Sequence, residues 1–430
     1  MFENILYQNA TETIKAEISA KQFPPAVLFS GPAASGKLSC ALECARILSC
    51  KNNGAWNCTC ASCSKHKILA NNDIVLLGSR ESSSEIRAAD RAWQKAMSDQ
   101  NGKQYIIAAR FFLLRAVKKL LLKFTPEIWA GDAKLTKLSS AIEAINETCE
   151  DFETASKKIA AHITENALTL GDTGDFDAIA AKAAKIEEKL ITLCEKLDTE
   201  SLSRNIPVLH IRNIANAAKY RPQNGCKTII IDNAENMQEE ACNSLLKILE
   251  EPPHDTFFIL LSQNHKALLP TILSRVRTYF FYKRSSQEQA EILTRIFHAD
   301  ADALRADATI ENYLQQFLGE STNAAFEQGA SFLSAILLCR ENKKTFNIKS
   351  NLKNFLNKGG DFESFKTQKL FFEGMLHAAK NQSVQFQNEF CKKINECYGA
   401  ITVYNIKPVS ALEVFCQSPF FRREGAGKSA

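Results

Sequence analysis

The sequence predicts an α/β nucleotide domain of the phosphate-loop kind, interrupted by a helical insertion and followed by purely helical segments. Three observations carry this. The apolar run Ala26-Val27-Leu28-Phe29-Ser30 leads into Gly31-Pro32-Ala33-Ala34-Ser35-Gly36-Lys37-Leu38-Ser39 and then into an Ala/Leu/Cys-rich helical pattern. A second apolar run, Lys227-Thr228-Ile229-Ile230-Ile231-Asp232, ends in a carboxylate. From about 82 to 205 the chain is rich in Ala, Lys, Glu and Leu with few Gly or Pro, and from about 340 onward it is helical and mixed.

The chain's 430 residues suggest two to four domains, and a hydrophobic share of 45% supports ordinary packed cores. Met1-Phe2-Glu3-Asn4 lacks a basic segment followed by an apolar one, so no secretory signal is expected. The most apolar stretch, Ile106 to Phe124, is broken by Arg110, Arg115, Lys118, Lys119 and Lys123, which argues against a bilayer span. A cytoplasmic, soluble protein with no membrane partner is the expectation. Fourteen cysteines without a signal sequence point to thiols and a metal site rather than a disulfide framework. A net charge of +5 is mild, so any nucleic-acid affinity would have to come from local clusters.

Taken in order, residues 1–23 read as a helix-bearing lead-in, with Ile5, Ile14, Ile18 and Ala20 at roughly helical spacing. In the glycine-bounded loop, Gly31 and Gly36 let backbone N–H groups converge on a polyphosphate, Lys37 adds a point charge, and the following helix adds its dipole. Ser35 completes the loop. The motif then wants a hydroxyl to hold Mg²⁺, and the chain has Leu38, with Ser39 one residue late and about 100° further round the helix. ATP is therefore expected to be bound, if at all, without turnover.

Cys50, Cys58, Cys60 and Cys63 crowd the next segment. One thiol at a helix end and a tight trio across a loop can supply the tetrahedral thiolate set of structural zinc; the alternative is four unlinked reduced cysteines. The Cys58-Thr59-Cys60 pair is one residue shorter than the usual knuckle. Residues 73–77 read as a buried strand, and 82–205 as a helical insertion. Within it, Ile106, Leu113, Leu114, Val117, Leu120, Leu121 and Phe124 share one face, while Arg115, Lys118, Lys119 and Lys123 lie on the other and are expected to be solvated, or else to touch phosphates. Residues 152–199 suggest a long hairpin arm. Asp232, at the end of its strand, is a candidate acid beside a bound Mg²⁺, although a lone Asp there is otherwise an ordinary helix cap. The next position would carry a carboxylate to polarise water and is Asn233, which cannot accept a proton.

Several of these segments together resemble a known family. Phe29-Ser30-Gly31-Pro32 through Gly36-Lys37, the cysteine cluster, Ile231-Asp232-Asn233-Ala234-Glu235, Asn243-Ser244-Leu245-Leu246-Lys247-Ile248-Leu249-Glu250-Glu251-Pro252-Pro253 and Thr271-Ile272-Leu273-Ser274-Arg275 look like the AAA+ subunits of the bacterial DNA polymerase III clamp loader. The likeness covers roughly 1–78 and 205–338 and leaves the insertion aside. It implies an AAA+ domain over 1–283 with a zinc module at 50–63, a small helical lid over 284–340, and an all-α collar over 341–430 through which subunits assemble. It also implies the partners: gamma/tau and delta subunits, a sliding clamp and, through the complex, primer-template DNA.

Within that family the motor subunits need a Mg²⁺ hydroxyl, a catalytic glutamate and a lid arginine, where this chain has Leu38, Asn233 and Asn323. Ser274-Arg275 survives, and in the family that arginine projects into a neighbour's ATP site as an arginine finger. The pattern is similar to the delta-prime type of subunit, which would not be an active ATPase on its own. Polar residues that sense nucleotide should follow the strand at 257–261, where Ser262, Gln263 and Asn264 stand open as candidates. Val276 replaces the family's usual cysteine. Two rivals remain: a gamma/tau-type motor in which Ser39 and Glu235 substitute for the lost groups, and a zinc-bearing scaffold outside replication.

Overall fold

The computed structural model describes residues 1–79, 82–98, 103–165, 173–201, 205–223, 225–299, 309–317, 320–341, 365–380, 382–402 and 406–421. Five strands form one all-parallel sheet: β1 (Ala26–Ser30), β2 (Ile74–Gly78), β3 (Lys227–Asp232), β4 (Thr256–Ser262) and β5 (Arg277–Phe280), in the order β2-β3-β4-β1-β5. Continuous apolar, β-branched runs such as Thr228-Ile229-Ile230-Ile231 suit strands buried on both faces. Side chains alternate between those faces. Leu28, Leu77, Ile229, Ile231 and Leu260 enter one apolar cluster, while Val27, Phe29, Leu76, Ile230 and Ile259 enter the other.

The second of these faces is covered by the lead-in helix Ala10–Ser19 and by the phosphate-loop helix Lys37–Leu48, whose Cys40, Ala41, Cys44 and Ala45 are fully buried. The first is covered by helices Val208–Ala217 and Glu239–Glu250 and by the insertion. The insertion comprises helices Ser83–Ser98 and Lys103–Leu121 and an antiparallel-length pair, Leu135–Glu165 and Thr173–Ser201, packed on each other as the expected arm. Trp93 is its anchor: it packs edge-on against Phe152 at 5.2 Å and donates its indole N–H to Glu187 Oε2 at 2.9 Å.

The basic side of helix Lys103–Leu121 and the turn after it correct the sequence expectation. Arg115 donates to the carbonyls of His66 and Lys67, Lys119 pairs with Glu85, and Lys123, only 3% exposed, donates to Ser82 Oγ at 2.8 Å. Arg115 thus ties the insertion to the α/β layer, while Lys119 and Lys123 find their partners within the insertion itself instead of facing only solvent or a phosphate backbone. The helical wheel showed their side but not that protein lay beyond it.

Contacts divide the chain into two compact units, 1–317 and 318–430. The first ends with helix Ser286–Ile296, opened by a capping box between Ser285 and Glu288, and the short helix Ile310–Gln315. The second contains helices Glu320–Glu341, Phe365–Ala379, Val384–Thr402 and Pro408–Gln417 around Leu333, Phe371, Met375, Phe390 and Leu412. Its first two helices touch backbone to backbone: a Cβ on Gly329 would lie 1.9 Å from the Phe371 carbonyl oxygen, and one on Gly374 would lie 2.0 Å from that of Phe326. Gly319, Leu352, Phe355, Leu356 and the tail from Arg422 lie outside the described residues. Among the described residues no helix is long and apolar enough to cross a membrane.

Candidate functional site

The glycine loop leaves the carboxyl end of β1, where a doubly covered parallel sheet opens its ligand crevice. Gly31 sits where a Cβ would meet the Phe281 carbonyl oxygen at 2.2 Å, so only glycine fits. Gly36 caps the following helix with φ 91°, in the left-handed region. Lys37 is 3% exposed and folds back into the loop: its Nζ donates to the carbonyls of Gly31 and Pro32, each at 2.6 Å, and to Ser35 Oγ at 3.3 Å. Lys37 is therefore part of the loop's interior rather than a surface side chain. Ser35 Oγ donates to the Pro32 carbonyl at 2.8 Å.

Leu38, at the position of the metal-binding hydroxyl, is 7% exposed and joins the apolar cluster under the sheet, whereas Ser39 is partly exposed on the helix. A second cation, not foreseen from the sequence, lies on the loop. Arg284 donates Nη1 to the Ala34 carbonyl at 2.8 Å and Nη2 to the Leu6 carbonyl at 2.9 Å, and Nη2 lies 3.0 Å from where a Cβ on Gly36 would stand. Burial pushes the pKa of this guanidinium down. Its only sequence signal was its place just beyond the last strand.

Asp232 ends β3 opposite Gly78 of β2, is 1% exposed, and accepts the Asn233 N–H through Oδ1 at 3.1 Å. Asn233 turns the chain with φ 54°. Glu235 leans toward β4, where Oε1 accepts the Gln263 N–H at 2.9 Å. Of the polar trio at the end of β4, Ser262, the strand's last residue, accepts the Asn264 N–H through Oγ at 3.0 Å, and Asn264 Oδ1 caps the next turn through the Lys266 N–H.

Ser274 and Arg275 are not brought to this loop. β1 and β5 run parallel with Val27 beside Arg277, so Arg275 precedes the amino end of β5 while the loop leaves the carboxyl end of β1. At about 3.3 Å per residue, the strand separates them by roughly 13 Å. Arg275 instead pairs with Glu250 at the end of helix Glu239–Glu250, donating Nε to Oε1 at 2.8 Å. Its Nη1 donates to the Thr271 carbonyl at 2.8 Å and to Ser274 Oγ at 3.3 Å.

The cysteine set is assembled. The Sγ atoms of Cys50, Cys58, Cys60 and Cys63 all lie within 4.8 Å of one another, and those of Cys50 and Cys58 are 3.8 Å apart. Tetrahedral zinc with Zn–S near 2.3 Å requires thiolates roughly 3.8 Å apart, so the set can hold such an ion. Amide donors already face the sulfurs: Asn52 N–H to Cys50 at 3.4 Å, Asn52 Nδ2 to Cys58 at 3.3 Å, and Cys63 N–H to Cys60 at 3.4 Å. The Cys60 N–H and the Asn52 amide lower the Cys58 pKa to about 6, whereas burial raises that of Cys63. The short spacing around Thr59 does not displace Cys58 from the set.

Fold and loop together define an α/β protein of the phosphate-loop, AAA+-like class, with an attached four-cysteine cluster that could hold a metal ion. A family model described as DNA polymerase III, delta subunit, matches residues 7–126 and 132–285, and the chain belongs to that family. It is 32% identical over 135 residues to a DNA polymerase III subunit delta' of Haemophilus influenzae, covering 26% of this chain and 41% of that one. It is 35% identical over 82 residues to the Escherichia coli subunit delta', covering 19% and 25%. A DNA polymerase III subunit gamma/tau of Mycobacterium bovis is 35% identical over 86 residues, covering 20% and 15%. The chain thus spans less than half the length of these curated relatives. A solved gamma subunit-related protein from Thermotoga maritima matches over 54% of this chain and 88% of its own at 19% identity, with a TM-score of 0.28.

Proposed function

We propose that this chain is a delta-prime-like, non-hydrolysing subunit of the replicative clamp loader, presenting Arg275 to ATP held by a neighbouring gamma/tau subunit. The assembly, with delta, would open a sliding clamp and place it on primer-template DNA. The observation that carries the reading is the strand register: Arg275 stands at the end of the sheet opposite its own glycine loop, which supports a role for its guanidinium at a neighbour's site rather than at its own. Leu38, packed into the core, supports the lack of turnover, because a Mg²⁺ ligand cannot be built from an apolar side chain. ATP, if bound here, requires Lys37 to leave the Gly31 and Pro32 carbonyls.

In this reading the cysteine set holds structural zinc. Helices Ser286–Ile296 and Ile310–Gln315 belong to the lid of residues 284–340, and the collar of residues 341–430 takes in the helices that pack with Glu320–Glu341. Ser274 steadies Arg275 through its hydroxyl. The motor reading keeps one point of support, Glu235 at the carboxyl edge of the sheet.

The test is ATP turnover of the reconstituted loader with clamp and primed DNA, with Lys37→Ala and Arg275→Ala placed in this subunit alone. Loss with Arg275→Ala only is the expected result. Equal loss with Lys37→Ala returns the chain to the motor class, and failure to copurify with a sliding clamp and a polymerase removes it from replication.

A further inference from the structure

The helix that starts at the glycine loop ends at the cysteine set, and one buried arginine joins the two. Arg46 is 1% exposed. A guanidinium has five N–H donors in a rigid fork, and here all five are matched. Nε and Nη2 grip Glu43 at 2.8 and 2.6 Å, Nη2 also donates to the Gly54 carbonyl at 2.7 Å, and Nη1 donates to the Ala55 carbonyl and to Cys63 Sγ, both at 3.1 Å. Gly54 and Ala55 lie in the loop between Cys50 and Cys58, whereas Cys63 sits on the short helix Ala61–Lys67. The Trp56 ring covers the outside of the guanidinium at 5.6 Å.

We propose that Arg46 is the positioning residue of the cysteine site, fixing the loop that carries Cys50 and Cys58 against the helix that carries Cys63. Sulfurs on two separately mobile segments would have to be ordered by the ion itself, at a cost to affinity. Here the fork orders them beforehand and donates a charge-assisted hydrogen bond to one ligand, countering the surplus negative charge of four thiolates around a divalent ion. Glu43 holds the other side of the fork and neutralises Arg46 inside the core. Lysine cannot replace this arrangement, because a single ammonium reaches one or two of the three anchors. The inference rests on the metal reading above.

The experiment uses the full chain loaded with Zn²⁺, a competing chelating dye to measure affinity and release, and Co²⁺ substitution to read the ligand set by its thiolate charge-transfer absorbance. Arg46→Lys and Arg46→Met should weaken metal binding about 10- to 100-fold while the four-thiolate cobalt spectrum is still reached at saturation. Glu43→Gln, which loosens one side of the fork but leaves the bonds to Gly54, Ala55 and Cys63 in place, should weaken metal binding less than Arg46→Lys. Should Arg46→Met not fold, Arg46→Lys, which keeps the charge and stem, carries the test. Unchanged affinity in Arg46→Lys overturns the proposal, as does equal weakening by Glu43→Gln, which would assign the effect to helix stability. An unaltered chain that binds no metal overturns the zinc reading itself, a result distinct from both.

Discussion

The guanidinium of Arg275 is gripped by the Glu250 carboxylate, with Nε 2.8 Å from Oε1, so two sequence motifs 25 residues apart meet at one ion pair. The pair is half-exposed, with side chains 30% and 49% accessible, and such pairs add little to stability. Its value lies in orientation. Arg275→Ala in the assembled loader should slow hydrolysis at the partner's site by on the order of 10³-fold. Arg275→Lys should recover little of it, because the planar fork is lost. Single-turnover hydrolysis checks both; wild-type rates in either would sink the in-trans role.

With zinc held by the four cysteines as proposed, its removal should loosen the first unit. With free zinc a hundredfold above its Kd, binding to the folded state alone contributes about 3 kcal/mol, which chelation withdraws. Thermal unfolding with and without chelator should show the loss, and Cys63→Ser should abolish the difference.

The insertion should lose stability as pH rises through neutrality. Asp90 and Glu187 share the Gln94 amide, whose Nε2 donates to Asp90 Oδ2 at 3.2 Å and to Glu187 Oε1 at 3.1 Å. Burial first, and then the hydrogen bond and charge of Glu187, push the Asp90 carboxyl up to about 8, with Arg87 opposing and Glu195 reinforcing the shift. The folded chain therefore keeps a proton that the unfolded chain, with its ordinary value of 3.8, has released. The contribution is full below that ordinary value and is lost as pH rises through about 8. Asp90→Asn should flatten this slope in denaturant titrations between pH 5 and 8; an unchanged slope would rule out Asp90 as its source.

In the second unit, Gly374→Ala should cost about 1–3 kcal/mol or more, since its methyl would fall 2.0 Å from the Phe326 carbonyl oxygen on a facing helix. Hydrogen exchange over Glu320–Glu341 and Phe365–Ala379 reads this directly. Protection equal to the wild type would mean that the helices separate freely.

The sheet, its helices and the thiolate set were legible because each rests on local chemistry. The continuous apolar run through Val27, Leu28 and Phe29, the loop bounded by Gly31 and Gly36, and clustered cysteines need no knowledge of distant residues. What could not be read was whatever depends on a neighbour far along the chain. Arg284 reaches the loop by crossing back to Leu6 and Ala34, and Arg115 and Lys123 find partners on other elements rather than water. Glu250 was visible within its motif, but its pairing with Arg275 required the fold. Arg46 carried a readable hint, its i, i+3 spacing from Glu43, yet its bond to Cys63 depends on how the loop closes.

The order of the strands also governs how the chain is made. β1 finds its partners only in β4 and β5, with Ala26 beside Phe258, roughly 230 residues downstream. At ribosomal speeds of 5–20 residues per second, an apolar Ala-Val-Leu-Phe segment waits on the order of 10–50 s for them. The insertion's sequence-adjacent helix pairs, Ser83–Ser98 with Lys103–Leu121 and Leu135–Glu165 with Thr173–Ser201, can pack during that interval, whereas the nascent phosphate-loop strand needs shelter until the α/β unit is nearly complete. Slow, chaperone-sensitive assembly of the first unit follows from the place of that single strand in the sheet.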